Sequence, residues 1–162
     1  MKESVGMTEI ERIQDQLKKA FEGNAWHGPG VKEVLNGVTA KQAVARPITG
    51  AHTIWELVLH IRAWERAGAR RLAGDRAQLP DEEDWSPVTD ESEEAWARTK
   101  ASLEEGNRQL QQAIASVPLD RLDQPILDGL ASVYVTLQGV IQHDLYHAGQ
   151  IAILKKALEQ KQ

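Results

Sequence analysis

The chain has 162 residues, 41% of them hydrophobic and 27% charged, with a formal net charge of −5 and no cysteine. That length builds one globular domain with a real core, and an acidic balance without a basic block argues against electrostatic capture of nucleic acid or an anionic membrane. The lack of cysteine excludes a disulfide framework, a Cys-ligated zinc and a cysteine nucleophile.

The chain begins "MKESVGMTEIER", charged where a signal peptide needs an apolar run, and no stretch reaches the length of a membrane span. The expectation is a cytoplasmic protein of one domain, residues 1–162. The first helix is expected from Thr8 to Glu22, where Ile10, Ile13, Leu17, Ala20 and Phe21 share one face. A long connection with several glycines and two prolines follows. Within it "VKEVLNGV" and "TAKQAVA" can each form a short helix, the second ended by Pro47.

The second long helix starts at "TIWE", where Thr53 can cap and Glu56 reach back, and runs to about Leu72. Ile54, Leu57, Val58, Ile61, Trp64 and Leu72 form its stripe. The stretch "GDRAQLPDEEDWSPVTDESEE" is acidic and proline-punctuated and reads as a solvated loop. It lacks the regular ligand spacing of a calcium site. Asp90 or Ser92 caps a third helix, whose stripe is Trp96, Leu103, Leu110, Ile114 and Val117. After Pro118 and Pro125 a fourth helix runs from about Thr136 to Glu159. Four amphipathic helices without β-alternation predict an all-α four-helix bundle, with short extra helices in the first connection. That connection has the length of a crossover, so up-down-up-down order stays open. The expectation is four antiparallel helices.

The five histidines are His27, His52, His60, His143 and His147. On the fourth helix His147 lies inside the apolar arc of Leu137, Val140, Ile141, Leu145, Ala148, Ile151, Leu154 and Leu158, and His143 borders it. Their i, i+4 spacing puts two imidazoles on successive turns of one face, which suits a shared cation and equally suits a hydrogen-bonded pair. His60 stands on the rim of the second helix's apolar face, where a single satisfied core histidine is the plainer reading. Converging, the three would suit Zn, Ni or Fe and leave coordination positions open, as catalytic sites do.

The blocks "HTIWELVLHIRAWE" and "QHDLYHAGQIAILKK", their separation and the short "AWHGP" segment resemble the DinB-like family of metal-dependent enzymes, over nearly the whole chain. The resemblance implies a four-helix bundle in which His60, His143 and His147 hold a divalent metal. Relatives of this fold include bacillithiol- and mycothiol-dependent transferases, so it also implies a low-molecular-weight thiol as cofactor, a small-molecule substrate and a homodimer. An enzyme would be a transferase or hydrolase whose metal activates the thiol or a water. The alternatives are a non-catalytic metal- or ligand-binding stress protein and a dimerisation module.

Four further residues are candidates around the metal. Asp144 can accept from a ligand imidazole or pair with another helix, and Gln150 can bond a metal-bound water or a helix. Trp64 can wall a pocket and His52 can cap or line its mouth. Trp55 and Trp96 are expected in the core, and His27 in a solvent-facing turn. Leu59 and Ala63, off the main stripe, are expected as surface for a dimer.

Overall fold

The computed structural model describes residues 6–76 and 78–160. Residues 1–5, 161 and 162, which the expected domain includes, and residue 77 of the acidic stretch lie outside the described residues. The described chain holds the helices α1 (Glu9–Glu22), α2 (Val31–Leu35), α3 (Ala40–Val44), α4 (Ile54–Leu72), α5 (Asp81–Asp84), α6 (Glu93–Ala115) and α7 (Val133–Glu159), with a 3-10 turn at Leu119–Arg121. It holds no strand. The four long helices make the expected all-α bundle, and α2 and α3 are the two short helices of the first connection.

Local chemistry sets the helix starts. Thr8 and Thr53 close capping boxes with Glu11 and Glu56, and Thr39 closes one with Gln42, so each box satisfies two backbone donors reciprocally. Ser92 caps α6, while Asp90 accepts from the Ser92 N–H at 3.0 Å. The helix expected from Thr136 begins instead at Val133, capped by Ser132. The N–H groups of Val133 and Tyr134 donate to Gln124 and Leu122 carbonyls at 2.9 Å. A β-branched opening is thereby anchored that propensity alone disfavours. At the first connection Gly23 has φ +111°, and a β-carbon there would collide with the Glu33 carboxyl. Only glycine lets the chain turn so tightly beneath α2.

The helix directions depart from the expectation of four antiparallel helices. From Trp55 to Gly68, α4 meets α6 in rising order. The Trp55 indole donates to Thr99, Asn107 donates to Glu65, and Gly68 faces Leu110. These two helices are therefore parallel. Against α7 the order falls, with His60 beside His143 and Gly68 beside Val140, so α4 and α7 are antiparallel. Each of α1 and α4 packs on both α6 and α7, which puts α1 and α4 at opposite corners and makes the first connection a crossover.

This topology explains the acidic stretch. Because α4 and α6 are parallel, residues 73–92 must carry the chain back along the bundle. They are not merely a solvated loop: α5 forms within them, and Asp84 and Trp85 are half-buried against α4.

Trp55 and Trp96 lie in the core, 2% and 1% exposed, and the Trp96 indole donates to the Val38 carbonyl at 2.7 Å. Leu59 is buried rather than free for a partner, because the returning segment covers its side of α4, and Ala63 is half-buried. Neither supplies the expected dimer surface. Val117 lies past the end of α6 yet still packs on the core. No helix among the described residues is long and apolar enough to cross a membrane.

Candidate metal centre

His60 occupies the second turn of α4, and His143 and His147 stand one turn apart near the middle of α7. Antiparallel packing of the two helices brings the rings together. His143 Nε2 lies 3.0 Å from His60 Nε2 and 3.1 Å from His147 Nε2, and the cluster offers one ligand atom per residue, all within 4.8 Å of one another. Two bonds of about 2.1 Å to one cation span at most about 4.2 Å, so both short separations lie within reach of a shared ion.

Neighbouring groups set the tautomers. His60 Nδ1 faces the Asp84 carbonyl at 2.9 Å and Asp84 Oδ1 at 3.0 Å, both acceptors, and the Trp64 indole N–H fixes that carboxylate at 2.7 Å. His147 Nδ1 faces Gln150 Oε1 at 2.6 Å. Each Nδ1 therefore carries the proton, and each Nε2 presents a lone pair toward His143. His143 can donate one Nε2–H to one neighbour at most. In a metal-free ring cluster one lone pair stays unanswered.

All three imidazoles are held neutral. Burial is the main cause for each, pushing His60 and His143 below the usual histidine value and His147 down to about 4, although Gln150 opposes the shift. Neutral imidazole is the ligand form, so the site is ready for a cation at neutral pH without first losing protons.

Aromatic rings wall the cluster. The Trp85 indole lies flat between two imidazoles, 3.9 Å from His60 and 3.6 Å from His52, each tilted by 7°. Trp64 meets His60 edge-on at 6.4 Å, and Tyr146 meets His147 at 5.1 Å. His52 is half exposed, and its Nδ1 approaches Glu56 Oε2 at 3.4 Å. Thr53 rather than His52 caps α4, and His52 borders the cluster through Trp85 and lines a pocket beside Gln150. His27 is exposed in its turn.

Two expected roles change. Gln150 sits on His147 Nδ1, the ring nitrogen turned away from the other two imidazoles. Asp144 comes no closer than 3.9 Å to His143 Nδ1 and instead faces Glu65 across the core, where each carboxyl bears on the other's titration.

Sequence reading missed Asp84, Trp85, Glu65 and Asn107. Glu65 was findable: it lies four residues beyond Ile61 and seven beyond Val58, squarely in α4's apolar stripe. Trp85 was a large ring in a stretch otherwise read as solvated. Asp84 stood among many acids and carried no distinguishing signal.

Residues 29–151, more than half of the chain, match the family model described as the DinB superfamily. No curated protein and no solved structure matches.

Proposed function

The chain belongs to the DinB superfamily, and from that premise we propose that it is a single-domain metal-dependent enzyme. In this reading His60, His143 and His147 hold one divalent cation for group transfer to or hydrolysis of a small-molecule substrate. The observation that carries the reading is the convergence of Nε2 atoms at 3.0 and 3.1 Å, with both flanking Nδ1 atoms committed elsewhere. Three neutral imidazoles suit Zn, Ni or Fe. Bound there, the cation would supply Lewis-acid chemistry, drawing the pKa of a coordinated water or low-molecular-weight thiol toward neutrality.

The protein's own groups would do the rest. Asp84 and Gln150 hold the ligand rings in the metal-binding tautomer, which raises their basicity. Trp64, Trp85 and Tyr146 exclude bulk water from the ligand rings, strengthening electrostatic interactions there. One observation favours the alternative of a closed, non-catalytic site: the Trp85 ring lies flat on His60. Cobalt(II) titration of chelator-treated protein tests both readings. Saturation at one ion per chain supports the metal site, and lack of saturable binding removes it. A change in the cobalt absorption on adding a small thiol marks an open position, and an unchanged spectrum favours the closed site. A thiol-transfer screen on the loaded protein would follow.

The same reading includes a homodimer. With Leu59 covered, its support is the outer face of α7, where Val135, Tyr146 and Ile153 are exposed. Light scattering at micromolar concentration should give the mass of two chains, and a monomer mass would remove this part of the reading.

A further inference from the structure

Glu65 on α4, Asn107 on α6 and Asp144 on α7 are buried polar residues with no part in holding a metal. The two carboxyls are fully buried. Asn107 Nδ2 donates to Glu65 Oε1 at 2.5 Å. Among the described residues no N–H or hydroxyl reaches Glu65 Oε2 or either oxygen of Asp144, and the antiparallel register of α4 and α7, with His60 beside His143 and Gly68 beside Val140, sets the two carboxyls against each other. Burying such a pair is costly, and an apolar pair of similar volume is often more stable.

Their place in the core is informative. The apolar interior forms two clusters. On α4 the first cluster ends at Ile61 and the second begins at Ala69. On α6 the first ends at Leu103 and the second begins at Leu110. On α7 the order is reversed, with Val140, Ile141 and the half-buried Leu145 in the second and Ala148 in the first. Glu65 and Asn107 fall in the gap on their own helices and Asp144 stands at its edge on α7, so three helices contribute one polar residue apiece to a seam across the bundle.

A seam of aliphatic side chains can interlock in more than one register, one helical turn of about 5.4 Å apart. A carboxyl pair that must meet its partner has only one. The metal cluster needs that single register, because a one-turn slip of α7 exceeds the span of about 4.2 Å that two ligand bonds allow. His143 and His147 flank Asp144, and His60 lies on the same helix as Glu65.

We infer that the Glu65–Asp144 pair, anchored by Asn107, is a positioning device that locks α7 in register against α4 so that His60, His143 and His147 meet, at a cost in stability. Its purpose rests on the metal reading, whereas its geometry does not.

The test replaces the pair by apolar side chains of similar summed volume, Glu65→Leu with Asp144→Ala. The double variant should melt at a higher temperature than the parent. Its zinc affinity should fall by at least about tenfold, the scale on which loss of supporting contacts acts. In metal-free crystals its His60–His143 Nε2 separation should open from 3.0 Å to beyond bonding span. Asp144→Asn, whose amide can still donate to Glu65, should keep parental zinc affinity. A double variant that retains the 3.0 Å contact and full affinity overturns the proposal. So does one that is less stable or unfolded, since the pair would then be an ordinary stabilising contact. If the parent itself binds no zinc, the metal reading fails, and the metal-free crystal comparison alone decides the positioning role.

Discussion

Replacing His147 with Ala should remove measurable metal binding while the helices stay formed. The ring is 5% exposed, and its Nε2 sits 3.1 Å from that of His143, so the variant leaves a small pocket at the centre of the site. Two imidazoles would remain, and a water would have to replace the third in a space lined by Trp85 and Tyr146. Losing a group that only supports a ligand costs roughly 10–100-fold in affinity. Loss of a ligand itself should therefore exceed about 100-fold. Alanine is the best helix former, so circular dichroism should change little. The exposed His27 provides the control, and His27→Ala should bind metal like the parent. Elemental analysis after equilibrium dialysis would measure both. A folded His147→Ala protein with parental occupancy would sink the three-histidine reading.

Readings that rest on periodicity agree with the structure. The stripes of α1, α4 and α6 and the i, i+4 pair of α7 repeat every three or four residues, and such repeats define a face before any tertiary contact exists. His60 is matched to the pair through the resemblance of the two helix blocks to the DinB-like family, since on its residues alone a single satisfied core histidine is the plainer reading. Relative direction was less accessible. Whether α4 and α6 run parallel depends on where residues 73–92 travel, and nothing in a proline-punctuated acidic stretch specifies that path. Asp84 and Trp85 were lost for the same reason: they reach His60 across the fold, twenty-four residues along the chain from it for Asp84. Glu65 was lost differently. A charged residue in an apolar stripe conflicts with the binary pattern, and such conflicts deserve to be read as sites rather than smoothed into the stripe.

Stability of the metal-free protein should fall between pH 6.5 and 8, and the buried carboxyl pair sets the sign. Burial holds the Asp144 carboxyl up to about 8 and pushes Glu65 up as well, whereas both ionise near 4 in an unfolded chain. The fold therefore keeps a proton that the unfolded chain has released. The stability this supplies is fully present below the unfolded value and is lost as pH rises toward 8. The histidines act with the opposite sign and in another window. His147 is held to about 4, against about 6.5 when unfolded. Its contribution is complete above about 6.5 and is lost as pH falls to 4. His60 and His143 are lowered in the same sense. Below pH 6.5 the two effects oppose each other, but from 6.5 to 8 only the carboxyls act, and the parent should lose on the order of 2 kcal/mol. Urea unfolding of chelated protein at pH 4, 6.5 and 8 separates them. In the Glu65→Leu, Asp144→Ala variant the alkaline decline should vanish, and the acid loss should deepen because nothing then offsets the histidines. Equal parental stability at pH 6.5 and 8 would mean that the pair holds no proton across that range, and the opposing acid-side effects would then have to be reassigned to the histidines alone.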